Sequence, residues 1–340
     1  MSTLSESEFL RRPLRIRNRT LSNRLMLAPM VGLTHIAFRE VLEQFSSPAL
    51  LSMEMCSARS LPSERPDRSH IFRWRQGEQA RLVCQLVGSE PAVMAAAARR
   101  VEQEGFWGVD INMGCSVSAI CGQGSGAALL RDTRKALAVV EAVRTAVDIP
   151  VSVKFRLGWE DKPLDLPGFC QDLERAGADW LVFHPRLAPD RRSRPLKPGF
   201  LAQVKEAVSI PVFGNGDIVD TDSAGGILKS GCDGLAVGRM AVACPWVFSR
   251  LLGHCVPEEN IFYRYALSLL TGLEVFFPPK RAMRLYKMAI RYVAANFVFG
   301  HQLYSSLVKG TSLADFHANL QCLVPTPAQG SRPNIFLFTG

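Results

Sequence analysis

The sequence has no C-x-x-C pair, although it carries nine cysteines. An odd count without paired spacing gives neither a zinc ribbon nor a disulfide framework, and points to reduced thiols in a cytoplasmic protein. No apolar run is long enough to cross a bilayer, which takes ~20 helical residues. The longest greasy stretch, Tyr265 to Phe277, is interrupted by Glu274 and closed by Pro278-Pro279. Met1 to Arg24 is polar and Arg-rich and lacks the apolar segment of a signal peptide. No G-x-G-x-x-G follows the first strand-like run, which weakens a dinucleotide-binding open sheet. Acidic residues are also in short supply. Thirty-one Asp and Glu against 40 Lys and Arg leave a net charge of +9, which favours polyanionic partners.

What is present suits a soluble protein with a sizeable core. Of the 340 residues, 47% are apolar and 21% charged, which excludes a disordered chain or a fibre. At ~150 residues per domain, the length fits two domains or one large barrel with an appendage. Eight short apolar runs read as strands: Leu25–Met30, Ala49–Met53, Arg81–Val87, Gly108–Asn112, Val151–Lys154, Trp180–His184, Val212–Asn215 and Gly234–Val237. None alternates in and out, as expected of strands buried on both faces of a parallel sheet. Helical segments separate most of them. Thr34 can cap one through about Gln44, Asp132 caps another, and Pro91–Glu104 is an Ala-rich third. Eight β/α units over about 230 residues match a (β/α)8 barrel, with a doubly wound open sheet as the other arrangement. From about Glu258 only helical patterning remains. This predicts a barrel domain over 1–257 and a smaller all-helical domain over 258–340 with a Pro/Gly-rich tail from Pro325.

In a barrel, chemistry gathers at the carboxyl ends of the strands. Those ends offer Pro29-Met30, Glu54, Gln85, Asn112, Lys154 with Arg156, His184 with Arg186, Asn215-Gly216-Asp217 and Gly238-Arg239. The last two sets fit a phosphate site, since glycines let backbone N–H groups approach an anion and arginine supplies a fork of donors. Lys154 ends a buried strand and needs an anionic or polar partner. It can be half of a structural ion pair or a cation facing a bound ring, to which Gln85 would also hydrogen-bond. Cys115 follows Gly114 in a sharp turn, and its thiol can serve as nucleophile or general acid. Cys121, in a Gly-rich loop, reads as a bystander. The two thiols alone make no metal site, and no matching ligand pair is present elsewhere. His184 is placed to meet a ligand, while His35, His70, His254, His301 and His317 carry no motif.

Three basic clusters stand out. Lys280, Arg284, Lys287 and Arg291 share one face of a helix whose other face carries Met283, Tyr286, Ile290 and Val293. Arg186, Arg191, Arg192, Arg194 and Lys197 follow the sixth strand, and Arg11 to Arg24 form the third group. Each can be a solvated face. Together they can form a track for a nucleic acid leading to the barrel mouth.

The ordered stretches LAPMVGLTHIAFR (27–39), SMEM (52–55), VCQLVGSEP (83–91), GVDINMGCS (108–116), GSGAALLRD (124–132), IPVSVKFRLGW (149–159), IPVFGNGDI (210–218) and GCDGLAVGRMAVACPWVF (231–248) carry a resemblance. The chain resembles the tRNA-dihydrouridine synthases, FMN-dependent barrel enzymes with a helical C-terminal domain. The resemblance implies that Pro29, Met30 and Val31 line FMN and that Gln85 and Lys154 contact its ring. It implies that Asn215, Gly216, Asp217, Gly238 and Arg239 hold the phosphate and ribityl chain. Asn112, Arg156 and His184 would face the flavin or the target uracil, and Cys115 would be the proton donor. The implied reaction uses NADPH to reduce FMN, delivers hydride to C6 of a tRNA uridine and protonates C5 from the thiol. Two departures are visible: Ser116 stands where the family has Pro after the cysteine, and His184-Pro185-Arg186 stands for His-Gly-Arg. A flavin barrel acting on a small molecule, or a non-catalytic RNA binder on a flavin fold, are the other functions compatible with these residues. A monomer is expected.

Overall fold

The computed structural model describes residues 5–190, 194–256, 259–330 and 333–334. Arg191 and Arg192 of the rim cluster, the predicted domain boundary at 257–258, and tail residues 331–332 and 335–340 lie outside the described residues.

All eight predicted strands form, and they make one parallel sheet. In chain order they are Leu25–Leu27, Leu51–Ser57, Leu82–Val87, Gly108–Met113, Val151–Arg156, Trp180–His184, Val212–Asn215 and Gly234–Val237. From the second strand on, each pairs with the next, the eighth pairs with the first, and a parallel bridge from Met26 to Leu50 joins the first to the second. The Leu27 N–H donates to the Leu50 carbonyl at 2.9 Å across that bridge. The fold is therefore a (β/α)8 barrel. Every residue of the third, fourth, seventh and eighth strands is buried, which is why these runs are apolar without alternation.

The first two strands depart furthest from expectation, while the third to fifth shift by one or two residues at one end. The first strand stops at Leu27, because Pro29 cannot donate to a ladder. The second runs on to Ser57, so Glu54 lies inside it, where the register shifts between Ser52 and Met55.

Helices surround the barrel, and aspartates start three of them. Asp132, Asp165 and Asp220 accept the N–H groups of Lys135, Gly168 and Ser223. The helix Ile36–Phe45 is capped by His35 rather than Thr34. Nδ1 of His35 accepts the Phe38 N–H at 3.1 Å, while the Thr34 hydroxyl turns to the backbone of Met30. The link from the second to the third strand holds two 3-10 turns, Leu61–Ser63 and Glu78–Arg81, in place of a helix.

The N-terminal segment folds into a helix, Glu6–Arg11, and a hairpin, Leu14–Ile16 with Arg19–Leu21. Ile16 and Leu21 pack with Met26, Val83, Trp180 and Phe213 inside the barrel, plugging its amino end. The C-terminal helices are Ile261–Phe276, Pro279–Ala294, Gly300–Leu307 and Leu313–Asn319, and Pro278-Pro279 separates the first two as expected. They share one hydrophobic core with the barrel helices. The Tyr265 hydroxyl donates to the Val242 carbonyl at 2.8 Å, and Nδ2 of Asn296 donates to the Ala243 carbonyl at 3.1 Å.

Candidate active site

Strand register builds the first half of the site. Gln85 stands opposite Asp110, and Asp110 opposite Ser152; one layer further, Asn112 stands opposite Lys154. Neighbouring strands lie ~4.7–4.9 Å apart, so side chains in one layer come within hydrogen-bond reach. The Ser152 hydroxyl donates to Oδ1 of Asp110 at 2.5 Å, and Nε2 of Gln85 donates to Oδ2 at 2.6 Å. Nδ2 of Asn112 donates to Oε1 of Gln85 at 2.8 Å. Oδ1 of Asn112 then accepts the N–H groups of Gly114 and Cys115 at 3.0 and 2.9 Å. Burial pushes the Asp110 carboxyl up to about 6, against the opposing pull of its two hydrogen bonds and of Lys154.

The Cys115 turn is held from a second side. Its carbonyl accepts the Ala127 N–H at 2.8 Å and the Cys121 thiol at 3.4 Å. Gly126, at φ +61°, lies so close that a Cβ there would stand 2.6 Å from that carbonyl, which only glycine permits. The Ala127 carbonyl in turn accepts the Trp159 indole N–H at 2.8 Å, from a hairpin after the fifth strand. Cys121 therefore helps to shape the turn, in a short helix, Ser118–Cys121, that the Gly-rich sequence hid. Cys115 itself is half-buried.

Lys154 finds a polar partner on the seventh strand: its ammonium donates to Oδ1 of Asn215 at 2.9 Å, and Nδ2 of Asn215 donates to the Ala236 carbonyl at 2.7 Å. Burial first, and Arg156 second, pull the lysine down to about 8. His184 lies in register with Arg156 on the adjoining strand. Burial and the nearby Lys154, Arg156, Arg186 and Arg239 hold its imidazole well below the usual range, so it is neutral at pH 7.

Charge dominates the other half. Arg186, 2% exposed, donates to both carboxylate oxygens of Asp217, at 3.1 and 2.5 Å, and Arg239 donates to the same carboxylate at 2.9 Å. Asp217 holds a left-handed φ of +43° beside Gly216 at +124°. Arg156 donates to the Leu187 carbonyl at 3.1 Å. Pro185 has no N–H, and the Arg186 N–H that follows closes back on the His184 carbonyl at 2.7 Å.

At the first strand, Met30 is half-buried and Val31 is 58% exposed. The Gly238 Cα faces the Met30 sulfur, 3.4 Å from where a Cβ would lie. Gly32 donates its N–H to the buried Glu54 at 2.5 Å, and Met288 of the helix Pro279–Ala294 covers it. The basic helix thus abuts the loop after the first strand. Burial raises the Glu54 carboxyl, while Arg39, Arg281 and Arg284 act in the opposite direction. Of the stripe, Lys280 and Arg284 are exposed, while Lys287 and Arg291 lie over the rings of Phe316 and Tyr304. Among the described residues, no group of three His, Cys, Asp or Glu could hold a metal, and no helix is long and apolar enough to cross a membrane.

Sequence patterning alone did not single out Asp110, Ser152 and Trp159. Asp110 was detectable as a lone acid in an apolar strand, two residues from Asn112 and so on the same face.

A closed parallel barrel with a polar cluster at the carboxyl ends of its strands defines an enzyme of the (β/α)8 class. The barrel is similar to morphinone reductase (TM-score 0.51, 17% identity, 74% of this chain and 91% of that one). It is likewise similar to the old yellow enzyme of Trypanosoma cruzi (TM-score 0.53, 14% identity, 80% and 98%). Residues 26–270 match the dihydrouridine synthase (Dus) family. A tRNA-dihydrouridine synthase B of Pseudomonas aeruginosa is 36% identical over 82% of this chain and 85% of its own length. That of Pseudomonas putida is 32% identical over 83% and 86%. The chain belongs to the dihydrouridine synthase family and is a flavin-dependent oxidoreductase.

Proposed function

We propose that this protein reduces the C5–C6 bond of specific uridines in tRNA, with FMN as prosthetic group and NADPH as reductant. The donor set fits such a group. Gln85 and Lys154 bring N–H donors to the electron-accepting edge of the ring, with Pro29, Met30 and Val31 along it. Arg186 and Arg239 both donate to the carboxylate of Asp217, which sets two guanidinium forks side by side where a phosphate would be held. A Cβ on Gly216 would lie 2.8 Å from the His184 ring, so only glycine fits beside it; Asn215, Gly216, Asp217, Gly238 and Arg239 would hold the phosphate and ribityl chain.

The chemistry the group supplies when bound is hydride transfer, to C6 of the uracil, with electrons from NADPH. Cys115 gives the proton to C5, so one hydride and one proton saturate the bond. Its backbone is held on both sides, which keeps the thiol on target. Neutral His184 offers a hydrogen bond without adding charge, and Asn112 and Arg156 would face the uracil. The uridine must leave its stack to reach the thiol. The RNA is gripped mainly by shape and backbone, with Lys280, Arg284, Lys287 and Arg291 of a tRNA-binding helical domain (258–340) supplying phosphate contacts beside the catalytic domain (1–257). The protein acts as a cytoplasmic monomer.

One observation carries this reading: in a member of this family, Lys154–Asn215 and Gln85–Asn112–Cys115 converge at one end of the barrel. The test is whether purified protein is yellow, releases FMN on denaturation, and restores dihydrouridine to tRNA from cells that lack it. A colourless protein that FMN cannot reconstitute, or tRNA with unchanged dihydrouridine, would exclude it.

A further inference from the structure

Asp110 touches neither reacting partner in the reaction above, yet it is buried under the residues that do. Every hydrogen bond in its neighbourhood has a direction. A primary amide has nearly the same shape either way round, so its partners decide which end is oxygen. An ionised carboxylate only accepts. With Ser152 donating to one oxygen, Gln85 must turn its NH2 to the other. Oε1 of Gln85 is then left for the Asn112 NH2, and Oδ1 of Asn112 for the two backbone N–H groups of the cysteine turn. Backbone N–H groups only donate, so the far end demands the same polarity. Turning either amide over sets donor against donor at one joint and acceptor against acceptor at the other. Nε2 of Gln85 keeps a second N–H for a ring.

We infer that Asp110 is a positioning residue: the acceptor at the foot of a relay through Gln85 and Asn112 that fixes both amides and anchors the backbone of Cys115. Its catalytic consequence rests on the function proposed above; the relay itself belongs to the folded chain.

The experiment uses the full-length protein. In D110N the new amide meets both neighbours in one orientation, accepting from Gln85 and donating to the Ser152 hydroxyl oxygen, so the polarity survives. In D110A it does not. Hydrogen exchange of the amides at 113–118 is expected to quicken about tenfold or more in D110A and to stay within about twofold in D110N. Unchanged protection in D110A overturns the relay. Should D110A not fold, N112D decides. It sets two carboxylates against one Gln85 amide, which can donate to only one of them through its NH2 end. Adding D110N lets Gln85 turn over and pairs every joint again. Tm should fall in N112D and recover in D110N/N112D; a double variant no more stable than N112D overturns the inference. Dihydrouridine formation, followed on the same proteins, should drop about 100-fold in D110A with flavin retained. If exchange responds as expected in the variants while the wild-type protein makes no dihydrouridine, the relay stands and the proposed function falls.

Discussion

On the side of the third to fifth strands, the barrel mouth is lined by Gln85, Asp110, Asn112 and Ser152, all buried and joined by short directed hydrogen bonds. On the side of the sixth to eighth strands it is lined by Arg186, Asp217 and Arg239, where two cations share one carboxylate that is 41% exposed. The first side specifies orientation, because amide geometry has a sign and nothing nearby screens it. The second specifies charge, and water and salt reach it. Lys154 belongs to both: a cation tied to the Asn215 amide.

The largest effect separates reaction from binding. Cys115→Ala should cut dihydrouridine formation by about 10²–10⁴-fold, the range for removal of a general acid, with FMN still bound. Full activity would remove the thiol from the reaction. Next comes a direct contrast of the two sides. Arg239→Ala should weaken FMN binding roughly 10–100-fold and flatten its salt dependence, whereas Gln85→Leu should weaken it with the salt dependence intact. Equal salt responses in a fluorescence titration would erase the distinction.

Lys154 gives the third effect. As pH rises through about 8 the ammonium is lost, so flavin affinity should fall, at most tenfold per pH unit. Apoprotein stability should move the other way. The folded-state value lies below the ordinary lysine value, so the unfolded chain binds more protons between the two, and the penalty for burying this charge fades as pH climbs through that window. A flat affinity between pH 7 and 9.5 would take the lysine out of the ring contact. The smallest effect concerns the stripe. Replacing Lys280, Arg284, Lys287 and Arg291 together by Ala should weaken tRNA binding and lower its salt slope by ~0.7–0.9 for each phosphate no longer neutralised. The exposed pair, Lys280 and Arg284, should account for more of it than Lys287 and Arg291, which rest on rings. No change would make the stripe a solvated face.

The barrel was legible because strands buried on both faces must be apolar throughout, and all eight runs became strands. The partners of Lys154 and Arg239 were not, because Asn215 and Asp217 are distant in sequence and only barrel closure brings them near. Lys154 alone announced that it needed one. His35 escaped notice because an imidazole capping a helix leaves no spacing pattern, and the hairpin at 14–21 because arginines masked the two inward residues, Ile16 and Leu21. The acid at 110 was hidden by its own strand: a pattern that reads hydrophobicity records one charge among valine and isoleucine as noise.

With Tyr265 and Asn296 anchored to the carbonyls of Val242 and Ala243, the C-terminal helices resist swinging against the cylinder. Under the proposed function, the span from Arg284 to the sulfur of residue 115 would then work as a pair of locked calipers: a folded RNA would either match that gap or be turned away, and the uridine would be chosen by the measured reach of the nucleic acid rather than by the letters that flank it.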